Sequence, residues 1–131
     1  MNAMNEQKVL MTNLEFAKQM QSRTKSFAVR VIRMFQRLPK TDEARILGKQ
    51  VLRSGTSVAA NYRAACRSKS RSDFISKLGT TVEEVDETLL WIELLEESGI
   101  VPPKQLEGIK AETDELLRVL STSLDTAKRG R

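Results

Sequence analysis

Apolar residues recur along this chain every three or four positions and hardly anywhere every second position. That spacing belongs to α-helices with one face on a core. On a helical wheel Phe16, Met20, Phe27, Val31, Met34, Phe35 and Leu38 share one arc, which predicts a long first helix. Leu38-Pro39 ends it, because a proline pushes the preceding residue out of helical geometry. Thr41 is placed to cap a second helix, with Asp42 and Glu43 at its positive dipole end. Its inward stripe is Leu47, Val51, Ser54, Val58, Tyr62 and Ala65. Ser70 to Asp73 has the form of a capping box and opens a third helix near Ser70 or Ser72. Phe74, Leu78, Thr81, Val85, Leu89 and Ile92 line that helix, and Ser98-Gly99 closes it with a residue suited to left-handed backbone. Pro102 and Pro103 suit the start of a fourth helix, with Leu106, Ile109, Leu116, Leu120 and Leu124 facing inward. The tail 128–131 is expected to fray. The prediction is all-α: one antiparallel up-and-down four-helix bundle over residues 1–131, with its core in about 14–126.

Three local patterns modify this picture. The run Ser54-Gly55-Thr56-Ser57-Val58-Ala59-Ala60 is poor in helix formers. It either lets a neighbouring helix approach closely or breaks the helix. Asn61, at the edge of the inward stripe, either fixes helix register or offers an amide to a ligand. The second half of helix three is apolar almost all round: Leu90, Trp91 and Leu94 point away from the arc of Val85, Leu89 and Ile92. A helix buried on two sides needs a second partner, which predicts a homo-oligomer interface at Leu90, Trp91 and Leu94 unless Leu38 and Val101 cover the surface.

Charge sharpens the functional question. The net charge is +5, but residues 1–80 carry 16 Lys+Arg against 5 Asp+Glu, and residues 81–131 carry 6 against 12. Arg45, Lys49, Arg53, Arg63 and Arg67 form one row on the outer face of helix two, continued by Thr56 and Ala60. Arg30, Arg33 and Arg37 form a second row on helix one, and Lys69 and Arg71 sit in the turn after helix two. Such rows attract the phosphates of RNA or DNA. The competing reading is a solvated face, or one paired with acidic helix surfaces. Apart from Tyr62 and Trp91, the aromatics are phenylalanines that read as core, so base-specific readout of single strands is not expected.

The chain has no histidine, which removes the usual general base and zinc ligand. Ser22-Arg23-Thr24-Lys25 matches S-x-x-K without the rest of that constellation. Glu83, Glu84, Asp86 and Glu87 could gather a hard cation, but such clusters on exposed helices are ordinarily solvated or ion-paired. No enzyme, metal or cofactor is expected. One cysteine, Cys66, excludes an internal disulfide and suits a reducing compartment. The N-terminal residues lack the apolar run of a secretory signal, and the longest apolar run, Leu89 to Ile92, is far too short for a membrane helix. A cytoplasmic location follows as the expectation. Met1, Met4 and Met11 are alternative starts.

Leu52-Arg53-Ser54-Gly55-Thr56-Ser57-Val58-Ala59-Ala60-Asn61-Tyr62-Arg63 resembles the helix-two signature of a bacterial family of four-helix bundles. That family was first noticed as reading frames within intervening sequences of 23S ribosomal RNA genes. Ser70-Arg71-Ser72-Asp73-Phe74-Ile75-Ser76-Lys77-Leu78 is similar to the next block, and Glu84, Glu87-Thr88 and Trp91-Ile92-Glu93-Leu94-Leu95 continue it. The similarity runs from about Phe27 to Leu120. Ala64 stands where the family often has glutamate, which detaches any role of that carboxylate from this chain. The resemblance implies an up-and-down bundle and a homopentamer. The accessory variability proteins of diversity-generating retroelements look like members too, which implies nucleic acid or a reverse transcriptase as partners.

Overall fold

The computed structural model describes the backbone of residues 3–130 and the side chains of residues 13–130. Among these residues there are four helices and no strand: α1 (Ala3–Gln36), α2 (Asp42–Cys66), α3 (Arg71–Glu97) and α4 (Pro103–Arg129). Successive helices pack side by side, and α1 meets α4 to close an antiparallel four-helix bundle. No helix among the described residues is long and apolar enough to cross a membrane.

The ends form where the sequence signals them. The Thr41 hydroxyl accepts from Ala44 N at 3.3 Å, and the Ser70 hydroxyl accepts from Asp73 N at 3.1 Å. Gly99 turns the chain out of α3 with φ of 77°, a left-handed conformation that glycine adopts without a Cβ clash. Pro103 opens α4 behind Pro102, which offers no capping side chain. At the other end α4 departs from expectation. It stays helical to Arg129, and the Arg71 guanidinium donates to the carbonyls of Ala127, at 2.7 Å, and Gly130. A cation on those orphan carbonyls satisfies them and complements the helix dipole. Arg131 lies outside the described residues.

The buried positions step by alternate threes and fours. In α2 they are Ala44, Gly48, Val51, Gly55, Val58, Tyr62 and Ala65, with Ser54 beside them. In α3 they are Leu78, Thr81, Val85, Thr88, Ile92 and Leu95, and in α4 Leu106, Ile109, Thr113, Leu116 and Leu120. Met20, Thr24, Phe27 and Val31 continue the pattern in α1, and Leu38 is buried just beyond its end. A 3.5-residue seam keeps each helix facing its neighbours along its length. Its strictness explains two departures from the predicted core. Leu89 is only half-buried because Thr88 and Ile92 hold the seam on either side, and Leu95, one step further, is fully buried. Phe16, Leu47, Phe74 and Leu124 are likewise incompletely buried, and Phe16 is exposed.

Four threonines occupy seam positions without an unpaired hydroxyl. Thr81, Thr88 and Thr113 lie 2.9, 2.7 and 2.6 Å from the carbonyls four residues earlier, and Thr24 bonds to Gln21 O at 3.1 Å. The Ser54 and Thr88 hydroxyls meet at 2.7 Å between α2 and α3. Each hydroxyl also reaches a carbonyl of its own helix, so the pair adds a polar contact between α2 and α3 without either group depending on it.

The small-residue run of α2 is continuous helix, and its glycine marks a close approach. A Cβ on Gly55 would lie 2.8 Å from both Val31 Cγ atoms, and one on Gly48 would lie 2.5 Å from Leu38 Cδ1. Asn61 donates to Ser57 O of its own helix at 2.9 Å, so it bridges no pair of helices.

These contacts predict opposite effects of one substitution. Gly55→Ala should lower stability by about 1–3 kcal/mol despite its better helix propensity, because the β-branched Val31 cannot swing aside. Gly79→Ala, where a Cβ meets nothing within 4 Å, should raise it by about 0.4–1 kcal/mol. Urea denaturation of both variants checks the pair.

Candidate nucleic-acid interface

The outer row of α2 runs from Arg45 to Arg67, about 33 Å at helical rise. Arg45, Lys49, Arg63 and Arg67 are all exposed. Arg45 pairs with Asp42 at 3.3 Å, one turn away on the same helix. Both groups are solvated, so that pair is weak and readily exchanged. Among the described residues no carboxylate bonds Lys49, Arg63 or Arg67.

Arg53 is different. Its guanidinium reaches α3 and bonds Glu84 at 3.3 Å and Glu87 as a second partner. Hydrogen bonding to Glu87, ahead of attraction to both carboxylates, raises the Arg53 pKa above its ordinary value. The cause is its place on the circumference: it stands on the edge of the row nearest α3, while Lys49, Arg63 and Arg67 stand further round. The acidic half of the chain therefore neutralises one member of the row and leaves the others. Arg71, although exposed, is likewise engaged at the α4 carboxyl end, so of the two exposed cations predicted in the turn Lys69 is the one with no hydrogen-bond partner among the described residues.

Arg30, Arg33 and Arg37 do not extend this surface. α1 meets α2 through Val31, Phe35 and Leu38. The three arginines lie on the opposite flank and line a groove of about 770 Å³ against the first turns of α4. Sequence periodicity placed them correctly on one face of α1, but it cannot say which neighbour that face meets.

The seam between α1 and α4 is the most open of the bundle, and no periodic signal marked it. A bidentate pair spans its middle: Arg23 Nε and Nη2 lie 2.9 and 2.8 Å from the two Glu112 oxygens. Beyond this strut, toward the other end, lies a second groove of about 880 Å³ lined largely by apolar groups, including Leu14, Phe16, Phe74 and Val119. Phe16 is exposed because it lines this groove instead of reaching the core. Tyr62 and Cys66 form part of its floor. Burial raises the pKa of both, so Tyr62 stays a phenol and Cys66 a thiol, which is the wrong state for a nucleophile.

On α3, Leu90 and Leu94 are 47% and 37% exposed, one turn apart. Trp91 is half-buried against the core and its indole N–H donates to Glu87 at 3.3 Å. Trp91 thus belongs partly to the bundle, and Leu90 with Leu94 forms the outward apolar pair. Among the described residues no group of three His, Cys, Asp or Glu side chains could hold a metal ion.

The comparisons with known proteins agree with this architecture. No curated protein matches the chain. A solved structure of a protein of unknown function from the S23 ribosomal protein family of Bacteroides thetaiotaomicron matches with a TM-score of 0.78 and 34% sequence identity, over 84% of this chain and 98% of that one. The model of the 23S rRNA-intervening sequence protein family matches residues 17–122, which include the whole of α2 and α3, most of α1 and α4, and the α2 row. The chain belongs to the 23S rRNA-intervening sequence protein family.

Proposed function

We propose that this protein is a non-enzymatic homo-oligomer that binds RNA or DNA through phosphate contacts on the outer face of α2. The observation that carries the reading is a row of exposed cations, Lys49, Arg63 and Arg67 with Arg45, none of which the neighbouring acidic helix engages, its row partner being Arg53. A 33 Å span at helical rise is about the axial length of ten base pairs, so several phosphates lie within reach of one α2. Contacts of this kind position a nucleic acid without reading its bases. The outward Leu90–Leu94 pair supports self-association, and the family likeness suggests five copies, which would multiply the row around an assembly. A reducing compartment such as the cytoplasm suits the lone Cys66. The second reading, a scaffold whose basic face docks an acidic protein, draws on Arg53 itself, which already holds two helical glutamates.

Filter binding to duplex DNA and structured RNA across a salt series distinguishes them. Lys49→Gln/Arg63→Gln/Arg67→Gln should weaken binding at every sequence. On duplex DNA it should also flatten the salt slope by about 0.9 for each phosphate that is no longer neutralised. The charge-conserving change Arg53→Gln/Glu87→Gln, which removes a pair already neutral in the folded protein, should leave affinity nearly unchanged. Equal losses from both variants would sink the assignment of the face, and wild-type binding confined to low salt would favour the scaffold. Separately, Leu90→Glu/Leu94→Glu should lower the native mass measured by light scattering. An unchanged mass removes that surface as the interface.

A further inference from the structure

We infer that the groove between the carboxyl-terminal half of α1 and the start of α4 is a discrete binding site for an oligophosphate group. It differs in kind from the α2 row. That row is convex and open, whereas this site is concave, and its 770 Å³ lies within the size range of small-ligand sites. Arg30, Arg33 and Arg37, at helical spacings of three and four, set three guanidinium groups along one wall over about 10 Å. No acidic side chain lines the groove, and among the described residues no carboxylate pairs with any of the three.

The opposite wall fits the same chemistry. α4 starts with no acid in its first turn and no capping side chain, so the positive end of its dipole is uncompensated beside the arginines. Gly108 gives up helix propensity in mid-helix, and a Cβ there would stand 3.1 Å from Arg30 Nη2. Its absence leaves room for that guanidinium to lie across α4. The floor is apolar, built from Leu38, Val101, Leu106 and Ile109. The three exposed guanidinium groups stand along one wall above this floor, and a compact polyanion would engage them together with charge-assisted, bidentate bonds. Isolated phosphodiesters carry one charge each. A terminal triphosphate concentrates several in one place and matches the groove better, whether it belongs to a free nucleotide or to the 5′ end of an RNA.

Calorimetric titration of the full chain with inorganic tripolyphosphate tests the site. One saturable site per chain is expected. Arg33→Gln/Arg37→Gln should weaken it by at least about tenfold, the worth of one charge-assisted bond, while Arg63→Gln/Arg67→Gln leaves it unchanged. Circular dichroism melting reports whether the variants fold. Removing unpaired surface cations should not lower Tm. Absence of saturable binding, or equal weakening by the α2 variant, overturns the proposal whatever the fate of the α2 row. A 5′-triphosphate RNA that binds more tightly than its 5′-hydroxyl counterpart identifies an RNA end as the source. Equal binding of the two RNAs, with tripolyphosphate still bound, identifies a free nucleotide.

Discussion

The approach of α1 to α2 sets the geometry of the whole bundle. Gly48 and Gly55 leave no side chain between the helices, so Leu38 and Val31 rest almost on the α2 backbone. α2 and α3 are then fixed by their seam and the buried Ser54–Thr88 pair, and α3 and α4 by Leu95, Leu106 and their neighbours. α1 is drawn toward α2, and its packing against α4 is the sparsest in the bundle. The basic groove and the apolar groove both involve α1 and α4, on either side of the Arg23–Glu112 strut. Glycines facing one partner thus open space toward the other.

The charge asymmetry of the chain resolves in the same geometric way. Opposite halves do meet, at Arg53 with Glu84 and Glu87 and at Arg23 with Glu112. These pairs form where a basic residue stands at the edge of its helix face nearest an acidic neighbour. Residues further round the helix are out of reach, because a side chain covers only part of the circumference. Neutralisation and a free basic surface therefore coexist on α2. The acidic cluster of α3, two of whose members hold Arg53, serves the bundle at least in part.

A periodic pattern was sufficient for the elements, and local signals for most of their ends. Thr41, Ser70, Gly99 and Pro103 each act through the one or two turns around them, so their effects are local and readable. The α2 row was readable for the same reason, since helical spacing alone puts Arg45, Lys49, Arg63 and Arg67 together. Hydrophobicity failed at the threonines: Thr24, Thr88 and Thr113 are buried because each hydroxyl satisfies itself on its own helix, which a polarity pattern does not register. It also failed at Phe16, which follows the right period but lies where α4 stands too far away to cover it.

By itself the sequence determined that the chain forms four amphipathic helices, where α2 and α3 begin and end, where α4 begins, and which cations share a face. Those properties depend on neighbours within a few residues. Tertiary structure alone decided that Arg53 and Arg71 are engaged and that Arg30, Arg33 and Arg37 face α4 and not the α2 row. It also decided that the α1–α4 seam stays open. Those outcomes depend on the rotation and separation of whole helices, which are set by the glycines between α1 and α2 and the packed seams beyond them, many residues away along the chain.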